Sequence, residues 1–515
     1  MPNKIDSNVT GLAYADEETA TIGTLIASPI WYPLEPNGYN DFGGQVTTVA
    51  RNPINPSRQN KKGVTTDLDA SGGFGQDLTQ TNLTRLLQGF FFADRREKAT
   101  TLPLNATQIS ITSVTAALDD YNAASGLDAF AADDLVVCSG FTEPANNGLK
   151  HVATAGATAI TVAEALVDET PSATAAFIEH VGFEFGSGEV DIDVSSQTYP
   201  RLVRASGTKD MTDFGLVPGE WIYVGGDAAP DLFVTASNVN NGFCRVRAVA
   251  ATYIEFDKTE RTMADETGTG LTIRIFFGHV IKNESAAANI VRRSYNIERT
   301  LGDDGVGTQS EYLVGAVPNE LSLQIRQADK VTVDLGFVAT DNEQRTGTVG
   351  VKSGSRPSLT DDPAFNTSSD FSRIKMNIVD TAGTTNPTAL FAFLTELTLT
   401  INNNIQPNKA ISVLGAFDVS AGQFSVNGSV TAYFADTTAV AAVRNNEDIT
   451  LDFALVKNNA GIIFDIPLIA LGEGRLNVEQ DQPITLPLSL DGAEGSNNHT
   501  LLFNEFPYLP DAADV

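Results

Sequence analysis

Cysteine is nearly absent from this 515-residue chain, with Cys138 and Cys244 the only two. Two such distant thiols build no disulfide framework and no CxxC site for metal or redox chemistry, so both are expected as core residues. Histidine is almost as scarce. His151, His180, His279 and His499 have no cysteine or carboxylate at ligand spacing, which argues against a zinc centre or a histidine base and predicts surface or rim positions. Long apolar runs are missing as well. Nowhere do about eighteen apolar residues follow one another, and Phe90-Phe91-Phe92 runs straight into Ala-Asp-Arg-Arg, so no membrane helix is predicted and the protein is expected to be soluble. No apolar run follows Lys4, so a secretory signal is not expected either. Positive charge is short too: 33 Lys and Arg stand against 64 Asp and Glu, a net charge of −31. Nucleic-acid grips are built from clustered Lys and Arg, so the balance speaks against DNA binding; it favours dispersal in water and a surface that repels phosphate.

Catalytic signatures are missing in the same way. There is no GxSxG elbow, no HExxH and no cysteine with a histidine partner in sequence. With 64 acidic residues some pair will always lie close, so paired carboxylates carry no inference. The glycine-rich "SGGFGQD" from Ser71 and "LGDDGVG" from Leu301 lack the flanking elements and lysine of a phosphate loop and read as turns. Asp303-Asp304-Gly305 resembles part of a calcium loop without its alternate ligands and closing glutamate. The expectation is a protein without cofactor or metal, and not an enzyme.

What the chain does have is strand signal. At this length two to four compact units are expected. Alternating β-branched and aromatic stretches recur from Thr107 onward: "TQISITSV", "LSLQI" from Leu321, "VTVDLGFV" from Val331, "LTLTIN" from Leu397, "FSVNGSVTAYF" from Phe424 and "ITLDFALV" from Ile449, each with one apolar and one polar face. One helix is predicted in "DLTQTNLTRLLQGFFF", where Leu83, Leu86, Leu87 and Phe90 recur at helical spacing and Thr79 or Thr81 is the candidate cap.

A unit is duplicated in the middle. "DDLVVCSG" from Asp133, "NNGLKHV" from Asn146, "TAITV" and "HVGFEF" are followed in the same order by "GEWIYVGG" from Gly219, "NNGFCRV" from Asn240, "TYIEF" and "IFFGHV". These read as two tandem small antiparallel β-barrels, with Asn-Asn-Gly a turn signal before it is a ligand site at Asn146 or Asn240. The preceding "AALDDYNAASGLDAFAADD" reads as a surface connector.

Taken in order, "GLAYADEETATIGTLIASPIWYPLEPNGY" from Gly11, "VARNPINPSRQNKKG" from Val49, "GGFGQDLTQTNLTRLLQGFFF" from Gly72, "LVPGEWIYVGGD" from Leu216, "SYNIERTL" from Ser294, "LVGAVPNELSLQI" from Leu313, "LTLTINNNIQP" from Leu397 and "VNGSVTAYF" from Val426 resemble the tail tube proteins of long-tailed (siphovirus-type) bacteriophages, in the variety with inserted domains. The resemblance implies a mainly β fold: a β-sandwich or barrel core split between residues 1–100 and 283–515, interrupted by barrels at 101–188 and 189–282. It implies hexameric rings stacked into a virion tube that is assembled in the host cytoplasm. A tape measure protein would fill the lumen, terminator and distal tail proteins would close the ends, and DNA would pass without specific binding. Within that frame the Pro- and aromatic-rich end segments are candidate ring-stacking arms anchored by Trp31, Tyr32, Phe506 and Tyr508, or else arms packed on their own subunit. Glu320 and Asp334, on or beside core strands, are candidate lumen carboxylates. Competing readings are a tail terminator or baseplate ring protein, a glycan-binding adhesin and a β-rich glycosidase. The adhesin needs clustered exposed aromatics, whereas Trp221, the one tryptophan in the barrels, sits at a core position.

Overall fold

The computed structural model describes residues 4–17, 22–54, 56–96, 109–171, 176–234, 238–360, 362–379, 383–391 and 393–514. Its strands fall into two large antiparallel sheets and a two-stranded hairpin. The larger sheet has sixteen strands, drawn from residues 11–77 and 279–506; the second has fourteen, all from residues 109–276. The chain therefore leaves the larger sheet after Asp77 and re-enters it at His279. The re-entry strand His279–Lys282 pairs with Leu502–Phe506, which pairs in turn with Ala460–Glu473.

Period-two alternation explains the centre of the larger sheet. In Thr332–Ala339, Val333, Leu335, Phe337 and Ala339 are buried while Thr332, Asp334, Gly336 and Val338 stay partly exposed. Leu394–Asn402 repeats the pattern with Leu397, Leu399 and Ile401. Helix α1, Thr84–Phe91, covers that apolar face with Leu86, Leu87 and Phe90, whose ring meets Phe337 edge-on at 5.6 Å.

Several expectations need correction. Helix α1 begins later than predicted, and neither Thr79 nor Thr81 caps it. Asn82 accepts the Thr79 amide at 3.2 Å and donates to the Asp77 carbonyl at 2.7 Å, a local turn that holds the preceding residues out of the helix. Thr81 bonds Asp362 instead. A second helix, α2 at Thr438–Asn445, was not foreseen; with Ala439 and Ala442 as its buried contacts it has too little apolar periodicity to be read. "SGGFGQD" is no turn: it lies inside the strand Lys61–Asp77, where a Cβ on Gly73 would stand 2.4 Å from the Leu335 carbonyl and one on Gly75 2.5 Å from Asp334. "LGDDGVG" is the turn between Ser294–Asp303 and Thr308–Arg326, and there the Asp304 carboxylate accepts the Val306 and Gly307 amides.

The tandem barrels do not close. Strand Arg274–Phe276 pairs on one side with Trp221–Val224 and on the other with Phe177–Glu184, so the edge of one copy is taken by the other and the two share one continuous sheet. The "connector" belongs to that sheet: Asp120–Asn122 is a strand, and the buried Tyr121 hydroxyl donates to the Asn146 carbonyl at 2.7 Å. "ITLDFALV" has no polar face. Strand Ile449–Lys457 is buried on both sides because the fourteen-stranded sheet packs against it through an ionic joint described below.

Candidate functional site

The outward face of the larger sheet presents ordered rows of small polar side chains. Register sets three rows of side chains across it. In one, Gly75, Asp334, Ser322, Thr400, Asn427 and Asp491 stand opposite one another on six successive strands. The next runs through Asp77, Thr332, Gln324, Thr398, Ser429 and Ser489, and a third through Gly73, Gly336, Glu320, Asn402 and Ser425. Hydroxyls, amides and glycines dominate. The four charged members are all carboxylates, and no Lys or Arg stands in any row. Gln324 donates to Asp334 at 2.9 Å, and Lys330 reaches in from a turn to Asp77 at 2.7 Å. Both sequence candidates, Glu320 and Asp334, lie on this face and line one shallow depression of about 300 Å³ with Asn40, Ser71 and Ser322. The neutral rows around them escaped notice. Their signal was present all the same, in the outward positions of the alternating strands.

The four aromatic arm candidates sit against their own chain. Trp31 is fully buried, its ring 5.8 Å from Tyr312 and its Nε1 donating to the Ser353 carbonyl at 3.3 Å. Tyr32 lies under the Arg85 guanidinium at 4.1 Å. Phe506 is buried against Phe243, and Tyr508 packs on Phe276, so the last strand fastens the fourteen-stranded sheet to the larger one. Burial pushes the Tyr508 hydroxyl up to about 12.

The joint between the sheets is ionic. From the fourteen-stranded sheet come Arg245, Asp257 and Lys258, with Glu260 just past the end of strand Tyr253–Thr259; from the larger sheet come Arg373, Lys375, Asp452 and Asp465. Arg245 is held by Asp465 at 2.9 Å and by Asp257 at 2.8 Å, and Arg373 bonds Glu260 at 2.7 Å. Asp452 lies between Lys258 and Arg373, bonded to both. Burial alone would raise its pKa, but the two cations hold it well below the usual carboxylate range.

Asn-Asn-Gly proves architectural in both copies. Asn146 donates to Glu169 at 2.9 Å and Asn240 to Glu266 at 2.7 Å; Asn147 both accepts from and donates to the Phe141 backbone, as Asn241 does with Phe233. The same clamp is thus built twice, and its amides are spent within the fold.

The histidines depart from expectation. His180, His279 and His499 are buried, and folding brings Asp133 to His151 at 3.3 Å, Asp134 to His180 at 3.6 Å and Glu179 to His279 at 2.6 Å, neighbours that sequence spacing does not show. The described residues contain no group of three potential ligands able to hold a metal. Cys138 and Cys244 are free and buried, the Cys138 thiol pushed up to about 12 by burial. Burial likewise lowers His499 to about 4, with Lys282 and Arg245 acting in the same direction and Asp465 against it. Unfolded histidine titrates near 6.5, so this site is without effect above that value. As pH falls from about 6.5 to 4 the unfolded chain binds the proton first, and stability drops by about 3 kcal/mol. Chemical unfolding at pH 7 and pH 4 should show that part of the acid loss vanish in His499→Gln.

The family model described as phage tail tube protein matches residues 7–492. No curated protein matches the chain. No helix among the described residues is long and apolar enough to cross a membrane.

Proposed function

We propose that this chain, which belongs to the phage tail tube protein family, is the repeating subunit of a siphovirus-type tail, six copies to a ring and rings stacked around a channel for the genome. Membership makes it a structural protein of the virion tail that assembles with itself. The observation that carries the finer reading is the outward face of the larger sheet, with its rows of Ser, Thr, Asn and Gly, its carboxylates at Glu320, Asp334 and Asp491, no cation within those rows, and Arg326 and Lys330 at their margin each paired with a carboxylate. Such a surface offers phosphate no unpaired positive charge, and screening limits repulsion to about 8 Å at physiological salt, so DNA is neither held strongly nor excluded at long range. On this reading the face lines the lumen and meets a tape measure protein before the genome passes. The larger sheet, drawn from residues 11–77 and 279–506, is then the ring-building core, and the fourteen-stranded sheet of residues 109–276 is the insertion on the outside. Terminator and distal tail proteins cap the tube, which assembles in the host cytoplasm.

Electron microscopy of the purified chain over a concentration series should yield hollow tubes with sixfold end views. Thiol labelling then tests the orientation, helped by the burial of both native cysteines. In tubes, Ser322→Cys should react with a small maleimide but not with one carried on a large protein, whereas Ala145→Cys, in the exposed turn between strands Asp134–Ser139 and Gly148–Ala155, should react with both. Equal access of the bulky reagent to both positions would place the polar rows outside and end the lumen assignment.

A further inference from the structure

The larger sheet uses one strand pattern twice. In its first half the chain runs through Gly11–Glu17, Pro36–Arg51 and Lys61–Asp77, helix α1, and then Ser294–Asp303, Thr308–Arg326, Thr332–Ala339 and Asp341–Arg345. In its second half it runs through Phe371–Ile378, Leu394–Asn402 and Ser425–Tyr433, helix α2, and then Ile449–Lys457, Ala460–Glu473, Thr485–Ala493 and Leu502–Phe506. Numbered one to seven in each half, these strands pair identically and always antiparallel: one with four, four with five, five with six, six with three, three with two, and seven with five. Of the sixteen strands only Tyr32–Leu34 and His279–Lys282 stand outside the scheme. Register repeats along with order. Strand five holds strand seven along Ser310–Val314 in the first half and along Gly461–Asp465 in the second, and strand six begins at Val317 and at Leu468, the same interval further on. Both helices have eight residues, lie on strand five and end in a left-handed residue, Phe92 at φ 49° and Asn446 at φ 51°. Just beyond, the Ala93 amide donates to the Gln88 carbonyl at 3.1 Å, and the Glu447 amide to the Ala442 carbonyl at 3.0 Å.

We infer that the larger sheet is two copies of one ring unit fused in a single chain, and that three chains, not six, close a ring of six units. The inference rests on the tube reading above; it keeps the sixfold wall and replaces the count of six copies. Two unrelated runs of seven strands and a helix have many orders open to them, so the same order, register and helix position twice over mark a repeated unit. The chain also contains the joint between two units. Strand five of the first unit pairs with strand two of the second from Glu320 and Asn402 to Arg326 and Glu396, and Leu321, Leu323, Leu397, Leu399 and Ile401 are buried there. A closed ring repeats one heterologous joint at every step. In the second unit, strand five past Ile469, the last residue that strand four reaches, pairs with strand six alone among the described residues. Strand two of the first unit likewise pairs with strand three alone. Each chain thus makes one joint internally and keeps one unfilled half of it at either side, so joints within and between chains alternate around the ring. The insertion tells the two units apart. Residues 109–276 lie between α1 and strand four of the first unit, whereas α2 leads at once into Ile449–Lys457 in the second. A ring of six units therefore has three insertions, one on every second unit.

The test is the mass and symmetry of tubes formed by the full wild-type chain. Mass per unit length from scanning transmission electron microscopy, combined with the ring spacing from the same images, should give three chains per ring, half the mass that six would give. Averaged cross-sections should show a sixfold wall bearing three projections. Tubes of Ala145→Cys, labelled with the protein-sized maleimide, should gain density at three positions around each ring, because that residue lies in the insertion of one unit only. Six chains per ring with six projections, or label at six positions, overturn the fusion inference while the tube reading stands. A wild-type chain that forms no tubes at any concentration overturns both.

Discussion

Asp452→Ala should destabilise the isolated chain by about 3–5 kcal/mol, seen as a lower denaturant midpoint in equilibrium unfolding. Asp452 is fully buried and is the shared partner of Lys258 and Arg373, which are themselves almost wholly enclosed. Its removal leaves two cations in the joint, one relying on the Thr450 hydroxyl at 2.9 Å and the other on Glu260. The loss comes from that uncompensated charge and not from the strength of the pair itself. The triple change Asp452→Leu, Lys258→Met and Arg373→Met should therefore be far milder than Asp452→Ala alone. An exposed control, Glu479→Ala, should stay within about 0.5 kcal/mol. Because the carboxylate is held below its ordinary value near 3.8, its contribution is fully present above that pH and fades as the solution becomes more acidic. A loss under about 1 kcal/mol for Asp452→Ala would mean that other carboxylates or water take over the two cations.

Trp31→Ala should cost about 3–5 kcal/mol in the unassembled chain, the penalty of emptying a fully buried aromatic site. Its pocket is made by Ala13, Ala15, Tyr312 and Val314, with Arg356 over the ring at 5.4 Å. Tyr32→Ala should cost clearly less, since that ring is half-exposed and its principal contact is the Arg85 stack. Unfolding measured below the assembly concentration separates the two possible roles of this segment. If Trp31→Ala leaves the isolated chain unchanged and abolishes only stacking, the segment belongs on a neighbouring copy.

Much of the strand content was legible because alternation is a local signal. "VTVDLGFV" and "LTLTIN" show their buried and outward faces directly, and the outward members include Asp334. The duplicated unit was legible as well, since equal order of elements needs no knowledge of partners. What failed was whatever depends on a distant strand. The glycines at 73 and 75 read as a turn because the backbone they make room for lies some 260 residues away. The barrels looked closed because nothing local reveals that Arg274–Phe276 pairs across the two copies. The histidines looked isolated because their carboxylate neighbours come from other strands. Ile449–Lys457 looked half-polar because Asp452 in an apolar strand reads as solvent-facing until Lys258 and Arg373 are placed beside it.

The placing of the last strand sets an order in time. Leu502–Phe506 fills the gap between His279–Lys282 and Ala460–Glu473, and its Phe506 and Tyr508 rings rest on the fourteen-stranded sheet. On the ribosome, residues 109–276 have all their own strand partners long before this point, whereas the sheet that surrounds them in sequence stays open until residue 506 has left the exit tunnel. A half-made chain thus has the strands of its inserted sheet complete while the larger sheet still lacks the strand that joins His279–Lys282 to Ala460–Glu473.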